Sequence, residues 1–190
     1  MKGVQFYPPS NPRFIDHPEF TPSFNPREMV ECGVFGGSYW RPIQSGVTGR
    51  LEQNHHLKYP RLFQGIPENL LTRASEDKAI NFYGVKAGSS LADWEAKGWI
   101  TAYDPYGWFQ WYCEFFEGRR IPQEDHRQID RWLKFAGPKG RFRNSLINEC
   151  KKKGKSWNDI SVSPVKRQGL LHWAYELNEA DYNNYLRSKP

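Results

Sequence analysis

The sequence WFQWYC at 108–113 contains the residue types that point most directly to ligand chemistry. Together with Tyr106 it places five aromatic residues within 106–112, which would overfill one side of an ordinary core helix. This helix is therefore either buried all round or exposes aromatic surface to a ligand or a polymer. Exposed aromatic rings can stack on unpaired nucleobases, and each such contact contributes about 1–3 kcal/mol. The residues that we expect to form a base-stacking pocket are Gly36, Gly37, Tyr39, Trp108, Trp111, Tyr112 and His172.

The tryptophans also have a structural interpretation. Aromatic residues make up 16% of the chain while aliphatic residues are sparse, so a helical domain needs large flat side chains to fill its core. The composition favours this role for Trp94, Trp99, Trp108, Trp132 and Trp173.

Positive charge is concentrated in one segment of the chain. Residues 127–167 contain 12 Lys and Arg against 3 Asp and Glu, which is the electrostatic pattern expected for a polyanion-binding surface. Guanidinium groups bind phosphate in bidentate pairs, and a helix start such as that near 141 already favours phosphate. A solvated basic face is the alternative interpretation. The predicted nucleic-acid-binding residues are Arg119, Arg120, Arg127, Arg131, Lys139, Arg141, Arg143, Lys166 and Arg167.

Candidates for acid–base catalysis lie in and just before the aromatic run. Glu114 follows Gln110 by one helical turn, so the two side chains can line one pocket, where Gln110 can also read the edge of a base. Asp104 precedes Pro105, which is the pattern of a helix N-cap followed by proline at the first helical position. We therefore expect any catalytic group among Gln110, Asp104 and Glu114. No motif fixes a reaction, and whether the protein is an enzyme stays open.

Metal and cofactor chemistry is not expected from this sequence. His55 and His56 are adjacent, so their side chains diverge, and the three cysteines form no Cys-x-x-Cys pair. The glycine-rich segment 32–41 matches neither the P-loop nor the dinucleotide-binding fingerprint. Cysteines that are odd in number and widely spaced favour a reducing compartment. We accordingly expect no metal, no cofactor and a cytoplasmic location.

The pattern of proline and glycine predicts the elements that position these residues. Residues 1–24 form a predicted extended arm, rich in proline and aromatic residues, that packs through Phe6, Tyr7, Phe14 and Phe20. Residues 25–190 form one globular domain, with an irregular, loop-rich layer over 38–75 and a basic helical half over 119–190. A few short strands fit within 34–87, with Val34-Phe35 and 82–85 as the candidates.

Capping residues and helix breakers predict a mainly α, compact domain with five to six helices between 89 and 186. Helices of 8–14 residues joined by Gly and Pro turns are typical of this architecture. We predict helices after Asn25 and after Ser90, from Pro105 to about Glu117, over about 123–136 and 141–152, from Pro164 to about Leu177, and after Asn178.

Three segments together resemble a known family. They are GVFGGSY at 33–39, DPYGWFQWYC at 104–113 and RQGLLHWAY at 167–175. They are similar to a family of small, largely uncharacterised proteins from tailed phages, fungi and algae, and the resemblance spans most of the chain from about residue 24. It implies a shared fold and no particular activity; a phage setting implies DNA as the polyanion and the host cytoplasm as the location. Glu114 departs from the family pattern, in which a basic residue usually follows the cysteine, and this weakens any role for that side chain.

These observations favour a nucleic-acid-directed protein that binds DNA rather than RNA through its basic face and aromatic pocket, and that can modify or process bases. One alternative is a non-catalytic assembly protein whose aromatic surface and proline-rich arm contact other subunits. The other is an enzyme acting on a small anionic metabolite. No membrane partner is expected, because the mean hydropathy is −0.81 and no apolar run approaches about 20 residues. Strandedness and oligomeric state stay open.

Overall fold

The computed structural model describes residues 10–188, and these form a mainly helical fold, as the sequence predicts. Phe6 and Tyr7 of the predicted arm lie outside the described residues. The elements within 10–188 are α1 (Pro26–Glu31), β1 (Ile43–Gln44), β2 (Leu51–Glu52), a 3₁₀ turn (His55–Lys58), α2 (Pro60–Phe63), a second 3₁₀ turn (Glu68–Leu70), α3 (Leu91–Ala96), α4 (Trp108–Phe116), α5 (Pro122–Phe135), α6 (Arg141–Lys152), α7 (Pro164–Leu171) and α8 (Glu179–Arg187).

Helices whose first turn carries a complete capping signal begin where the sequence predicts. Asn25 Oδ1 accepts a hydrogen bond from the Glu28 amide at 3.0 Å, and Glu28 Oε2 accepts one from the Asn25 amide at 2.8 Å. Ser90 forms the same reciprocal pair with Asp93 at the start of α3. Asn178 caps α8 through the Asp181 amide at 2.9 Å. Each cap satisfies backbone donors that a helix start leaves free, so the boundary is set locally.

Two predicted helix boundaries are wrong because contacts distant in sequence determine them. Asp104 is not the N-cap of α4: its carboxylate binds Arg119, and the helix begins after Gly107, whose φ of 89° suits glycine. The helix starting at Pro164 ends at Leu171 instead of Leu177. Ala174, with φ of 54°, breaks it, and its carbonyl accepts hydrogen bonds from the amides of Ser23 and Phe24.

Both candidate strands are wrong as well. Val34 lies in a turn that closes α1, where its amide donates to the Met29 carbonyl at 3.0 Å, and residues 82–85 form turns and bends. The strands found lie between these sites: β1 and β2 pair antiparallel, with Ile43 opposite Glu52. Gly36 and Gly37 have φ of 56° and 79°, values that a strand does not use.

The aromatic helix α4 forms the centre of the core, and seven of its nine residues are buried, while Glu114 and Phe116 are half-buried. Trp111 and Tyr112 have no exposed surface. Their polar atoms are paired inside the protein, because Trp111 Nε1 donates to Asp125 at 2.8 Å and Tyr112 O–H donates to the Phe24 carbonyl at 2.7 Å. Burial of this kind without partners would cost stability.

The segment before α1 contributes to this core through Phe20, which is 0% exposed. Five aromatic rings surround it at centroid distances of 5.2 to 6.2 Å; they belong to Trp108, Trp111, Tyr112, Phe115 and Trp132. Phe14 packs behind it and stacks on Phe20 at 5.4 Å.

Within the described part of the chain, no helix is both long and apolar enough to cross a membrane. The three cysteines are free thiols, of which Cys113 and Cys150 are buried and Cys32 is half-buried.

We expect Phe20→Ala to lower the free energy of unfolding by about 3–5 kcal/mol, because truncation leaves a cavity among five rings. Ile15→Ala is the matched control from the same segment, since Ile15 is fully exposed and its loss should change stability by less than about 0.5 kcal/mol. Urea unfolding followed by tryptophan fluorescence measures both. Equal stability of the two variants would contradict a core role for Phe20.

Candidate functional site

A cavity of about 1050 Å³ is lined by the start of α4, the end of α5, the start of α6 and one side of α7. This is at the upper end of the range of about 300–1000 Å³ typical of small-molecule sites. Its wall is rich in aromatic residues. The aromatic lining residues are Phe35, Tyr39, Trp94, Trp99, Tyr106, Trp108, Phe109, Phe135, Phe142 and Trp173.

Ring stacking fixes one side of this wall. Phe142 at the start of α6 stacks on Phe135 at the end of α5, with centroids 3.9 Å apart and an interplanar angle of 16°. Phe135 stacks on Trp173 at 5.0 Å, and Trp173 lies 5.0 Å from Trp108. Four helices or helix ends therefore share one continuous row of rings along the cavity.

Arg131 places a positive charge in this wall. Its guanidinium lies 5.3 Å from the ring centroids of both Trp99 and Trp173, and it donates to the Trp99 carbonyl at 3.1 Å and to Gln128 Oε1 at 2.9 Å. Among the described residues it forms no ion pair. Burial lowers the pKa of Arg131 to about 10, so the group stays charged at neutral pH while its solvation is poor.

Three more cations line the cavity. Lys134 pairs with Asp130 at 2.5 Å, and Lys166 binds Glu149 and Ser145. Arg141 is exposed and lies over the Phe142 ring at 5.5 Å, and it has no acidic partner in residues 10–188. No Asp or Glu of the described chain lines this cavity. The site therefore combines aromatic surface with the positive charge of Arg131 and Arg141, which no carboxylate of the described residues compensates.

His172 is the imidazole in the wall. Its ring lies 5.1 Å from that of Phe35, and burial lowers its pKa to about 4, an effect that the backbone of Val34 partly opposes. The Nε2 atom is buried without a hydrogen-bond partner in the described structure. His172 also lines a smaller adjoining cavity of about 290 Å³, which shares Tyr39, Trp94 and Tyr106 with the larger one.

The structure brings together part of the predicted base-stacking pocket. Tyr39, Trp108 and His172 line the cavity. Trp111 and Tyr112 do not, because they are fully buried on the core side of α4.

Gly36 and Gly37 do not line either cavity. Their carbonyls accept hydrogen bonds from the amides of Asp77 and Arg73 at 3.0 and 2.9 Å, and a side chain at either position would collide with the segment 69–77. They form a tight turn, where glycine is needed for its positive φ, and they do not cradle a ligand.

Three of the nine predicted nucleic-acid-binding residues line the cavity, namely Arg131, Arg141 and Lys166. Two others are buried. Arg143 is 7% exposed, pairs with Asp181 at 2.6 Å and lies over the Tyr175 ring, and Arg167 is 4% exposed and donates to backbone carbonyls at 2.9 and 2.7 Å. These two side chains hold α6, α7 and α8 together and cannot reach a strand outside.

Of the remaining four predicted nucleic-acid-binding residues, three form ion pairs and one is exposed. Arg119 binds the Asp104 carboxylate through two hydrogen bonds, Arg120 pairs with Asp16 and Arg127 with Glu124. Lys139 is exposed in the turn before α6.

The three predicted catalytic residues do not line the cavity. Gln110 is 2% exposed. Its side-chain Oε1 accepts a hydrogen bond from the backbone N–H of Tyr106 at 2.9 Å, and its Nε2 lies 3.3 Å from His55 Nδ1. Glu114 accepts a hydrogen bond from Tyr59 at 2.7 Å. Burial raises the pKa of Asp104 to about 6, and the bonded Arg119 opposes this. Each of the three residues therefore has its own partner within the protein.

Several tryptophans to which composition gives a role in the core lie in the cavity wall. Trp94, Trp99 and Trp173 are half-buried and face the cavity, while Trp132 is 1% exposed. A signal for the cavity lies in α5, where Arg131, Lys134 and Phe135 are spaced i, i+3 and i+4. Two cations and an aromatic ring on one face of a helix indicate a surface that is neither packed core nor fully exposed to solvent.

No group of three or more His, Cys, Asp or Glu side chains within residues 10–188 is arranged to hold a metal ion. Comparison with protein-family models, with curated proteins and with solved structures gave no match. The cavity and its charges are therefore the basis for assigning a function.

We expect the protein to lose stability in acid, because the folded structure holds His172 in its neutral form. In the unfolded chain the histidine takes up a proton near its ordinary pKa of 6.5, whereas the folded protein does so only near 4. The free energy of unfolding should be unaffected by this group above about pH 7 and fall by up to about 3 kcal/mol between pH 6.5 and 4. His172→Gln removes this loss.

The measurement is urea unfolding of wild type and His172→Gln at a series of pH values. His126→Gln, which removes an exposed histidine of α5, is the control and should retain the wild-type pH profile. A stability difference between wild type and His172→Gln that does not change with pH would show that His172 is not held neutral.

Proposed function

We propose that this protein binds single-stranded nucleic acid by taking an unpaired nucleobase into the aromatic cavity. The observation that carries the proposal is the continuous row of rings from Phe142 to Trp108 beside the charged Arg131. A base offers a flat face for stacking, and the phosphates attached to its sugar carry the negative charge that the wall and rim lack. Both halves of a nucleotide therefore find a complementary surface.

An unpaired base is favoured over a duplex because stacking on a protein ring requires that the base leave its own stack. Either a single strand or a nucleotide flipped out of a duplex meets this condition. We propose DNA over RNA, and a cytoplasmic location, on the basis of the resemblance to proteins of tailed phages. With no carboxylate in the larger cavity, its lining supports base binding more directly than base-processing chemistry.

The second candidate is a small aromatic anion such as a free nucleotide. It is favoured by the ion pairs of Arg119, Arg120, Arg127 and Arg143, which leave less free positive surface than the sequence indicates. The same cavity serves both ligands. The two candidates are distinguished by ligand length: a protein that binds a strand should bind longer oligonucleotides more tightly, whereas a protein that binds a free nucleotide should gain no affinity from added length.

Gly169 offers a direct test of the cavity. It lies in α7 and lines the cavity, and a side chain at this position would meet no atom within 4 Å. Gly169→Leu therefore places a larger side chain at an open point of the wall and should weaken binding of a labelled single-stranded oligonucleotide of about 12 nucleotides by about tenfold or more. Gly169→Ala is the matched control and should bind as wild type does.

Fluorescence anisotropy at about 50 mM and about 200 mM salt measures these affinities, with a duplex of the same sequence in parallel. Wild-type binding should weaken as salt rises and should favour the single strand. Equal affinities of Gly169→Leu and Gly169→Ala would remove the cavity from the binding site. No binding by wild type at the lower salt would remove nucleic acid altogether, and saturable binding of a mononucleotide alone would establish the second candidate.

A further inference from the structure

We propose that the bound strand leaves the cavity along the exposed face of α6, where Arg141 and the cluster Lys151–Lys153 bind its phosphates. This inference rests on the proposed function, because it concerns the path of the same strand. It identifies a phosphate-binding surface that extends from the rim of the cavity at Arg141 to the far end of α6.

The first support is the position of the cations that the protein does not use itself. Between residues 127 and 167, side chains such as Arg127, Arg143 and Lys155 are held in ion pairs. Those that are exposed and have no acidic partner among the described residues lie at the two ends of α6: Lys139 and Arg141 at its start, and Lys151, Lys152 and Lys153 at its end. The free positive charge is therefore arranged along one helix.

The second support is the face that joins these ends. Arg141, Asn148 and Lys152 are spaced i, i+7 and i+11, which places them on one side of the helix, and all three are exposed. Glu149 is the one acidic residue of α6, and it is held by Lys166 and Ser163. The exposed face thus carries no free carboxylate to repel a phosphate chain.

Helix stability explains the lysines at the C-terminal end of α6 but not the cations at its N-terminal end. Lysines at the C-terminal end of a helix interact favourably with its dipole, but Arg141 and Lys139 lie at the N-terminal end, where cations are disfavoured. The first turn of α6 contains no acidic residue, and its N-cap Gly140 offers no side chain to the free amides. A phosphate at this end would bind those amides and pair with Arg141.

The length of the path sets the expected size of the site. A helix of 12 residues is about 18 Å long, which corresponds to about five nucleotides of a stacked strand and fewer of an extended one. One further nucleotide occupies the cavity, whose rim includes Arg141. Affinity should therefore rise with oligonucleotide length up to about six nucleotides and then level off.

The test is the triple variant Lys151→Gln/Lys152→Gln/Lys153→Gln. Its control is Arg50→Gln/Arg61→Gln/Lys78→Gln, which removes the same charge from exposed positions outside the cavity and outside α6. Affinity is measured by anisotropy for a dinucleotide and for a strand of about 12 nucleotides across a salt series. For the longer strand, the slope of log affinity against log salt should become shallower by about 2 in the α6 variant, since each lost phosphate contact contributes about 0.7.

The control variant should keep the wild-type slope, and dinucleotide affinity should be the same in all three proteins. An unchanged slope in the α6 variant, or an equal change in the control, would overturn the α6 path. If either of these results is found and Gly169→Leu still blocks binding, the proposed binding of a base in the cavity is retained and only the α6 path is overturned. Absence of oligonucleotide binding by wild type would overturn both.

Discussion

Buried hydrogen bonds from tryptophan and tyrosine side chains of the core tie distant segments of the chain to α4, and the fold depends on them. Not every such group is paired, since Trp40 Nε1 and Trp108 Nε1 are buried without a partner among residues 10–188. Tyr112 binds the carbonyl of Phe24 at 2.7 Å, which anchors the segment before α1. Trp111 binds Asp125 at 2.8 Å and so fixes α5, and Tyr39 binds the carbonyl of Tyr106 at 2.6 Å and holds the glycine-rich turn. Aliphatic side chains would fill the same volume without specifying these pairings.

A hydrogen bond of the same kind lies at the boundary between the core and the cavity. Trp132 points inward and donates to the Trp173 carbonyl at 2.8 Å, while Arg131 and Phe135, on either side of it along α5, face the cavity. The hydrogen bond from Trp132 therefore fixes the backbone of Trp173, whose ring stacks on Phe135. A core contact of α5 thus positions the part of the cavity wall that Trp173 and Phe135 form.

Local signals in the sequence predicted the helices, because a cap acts within one turn. Asn25 and Ser90 show this, and α6 begins and ends where the glycines at 140 and 154 indicate. Asp104 carries a similar local signal, yet it pairs with Arg119, 15 residues away, and the pairing outweighs the capping tendency.

The site was predicted less well, because burial decides which side chains are available and burial depends on contacts across the fold. Trp108 and Trp111 are equivalent in the sequence, but one lines the cavity and the other lies in the core. Arg141 and Arg143 are two residues apart, and only the second finds an acidic partner, on α8. Neither difference is visible in spacing or composition.

Arg131 is the residue of the cavity whose charge is least compensated within the protein. A partly buried cation is costly unless a carboxylate or several acceptors compensate it, and Arg131 has two acceptors and two aromatic rings. The depression of its pKa to about 10 reflects this incomplete compensation. A leucine or methionine would fill the space between Trp99 and Trp173 without that cost. An anion in the cavity would complete the compensation, and its binding energy would include the solvation that Arg131 lacks in the free protein.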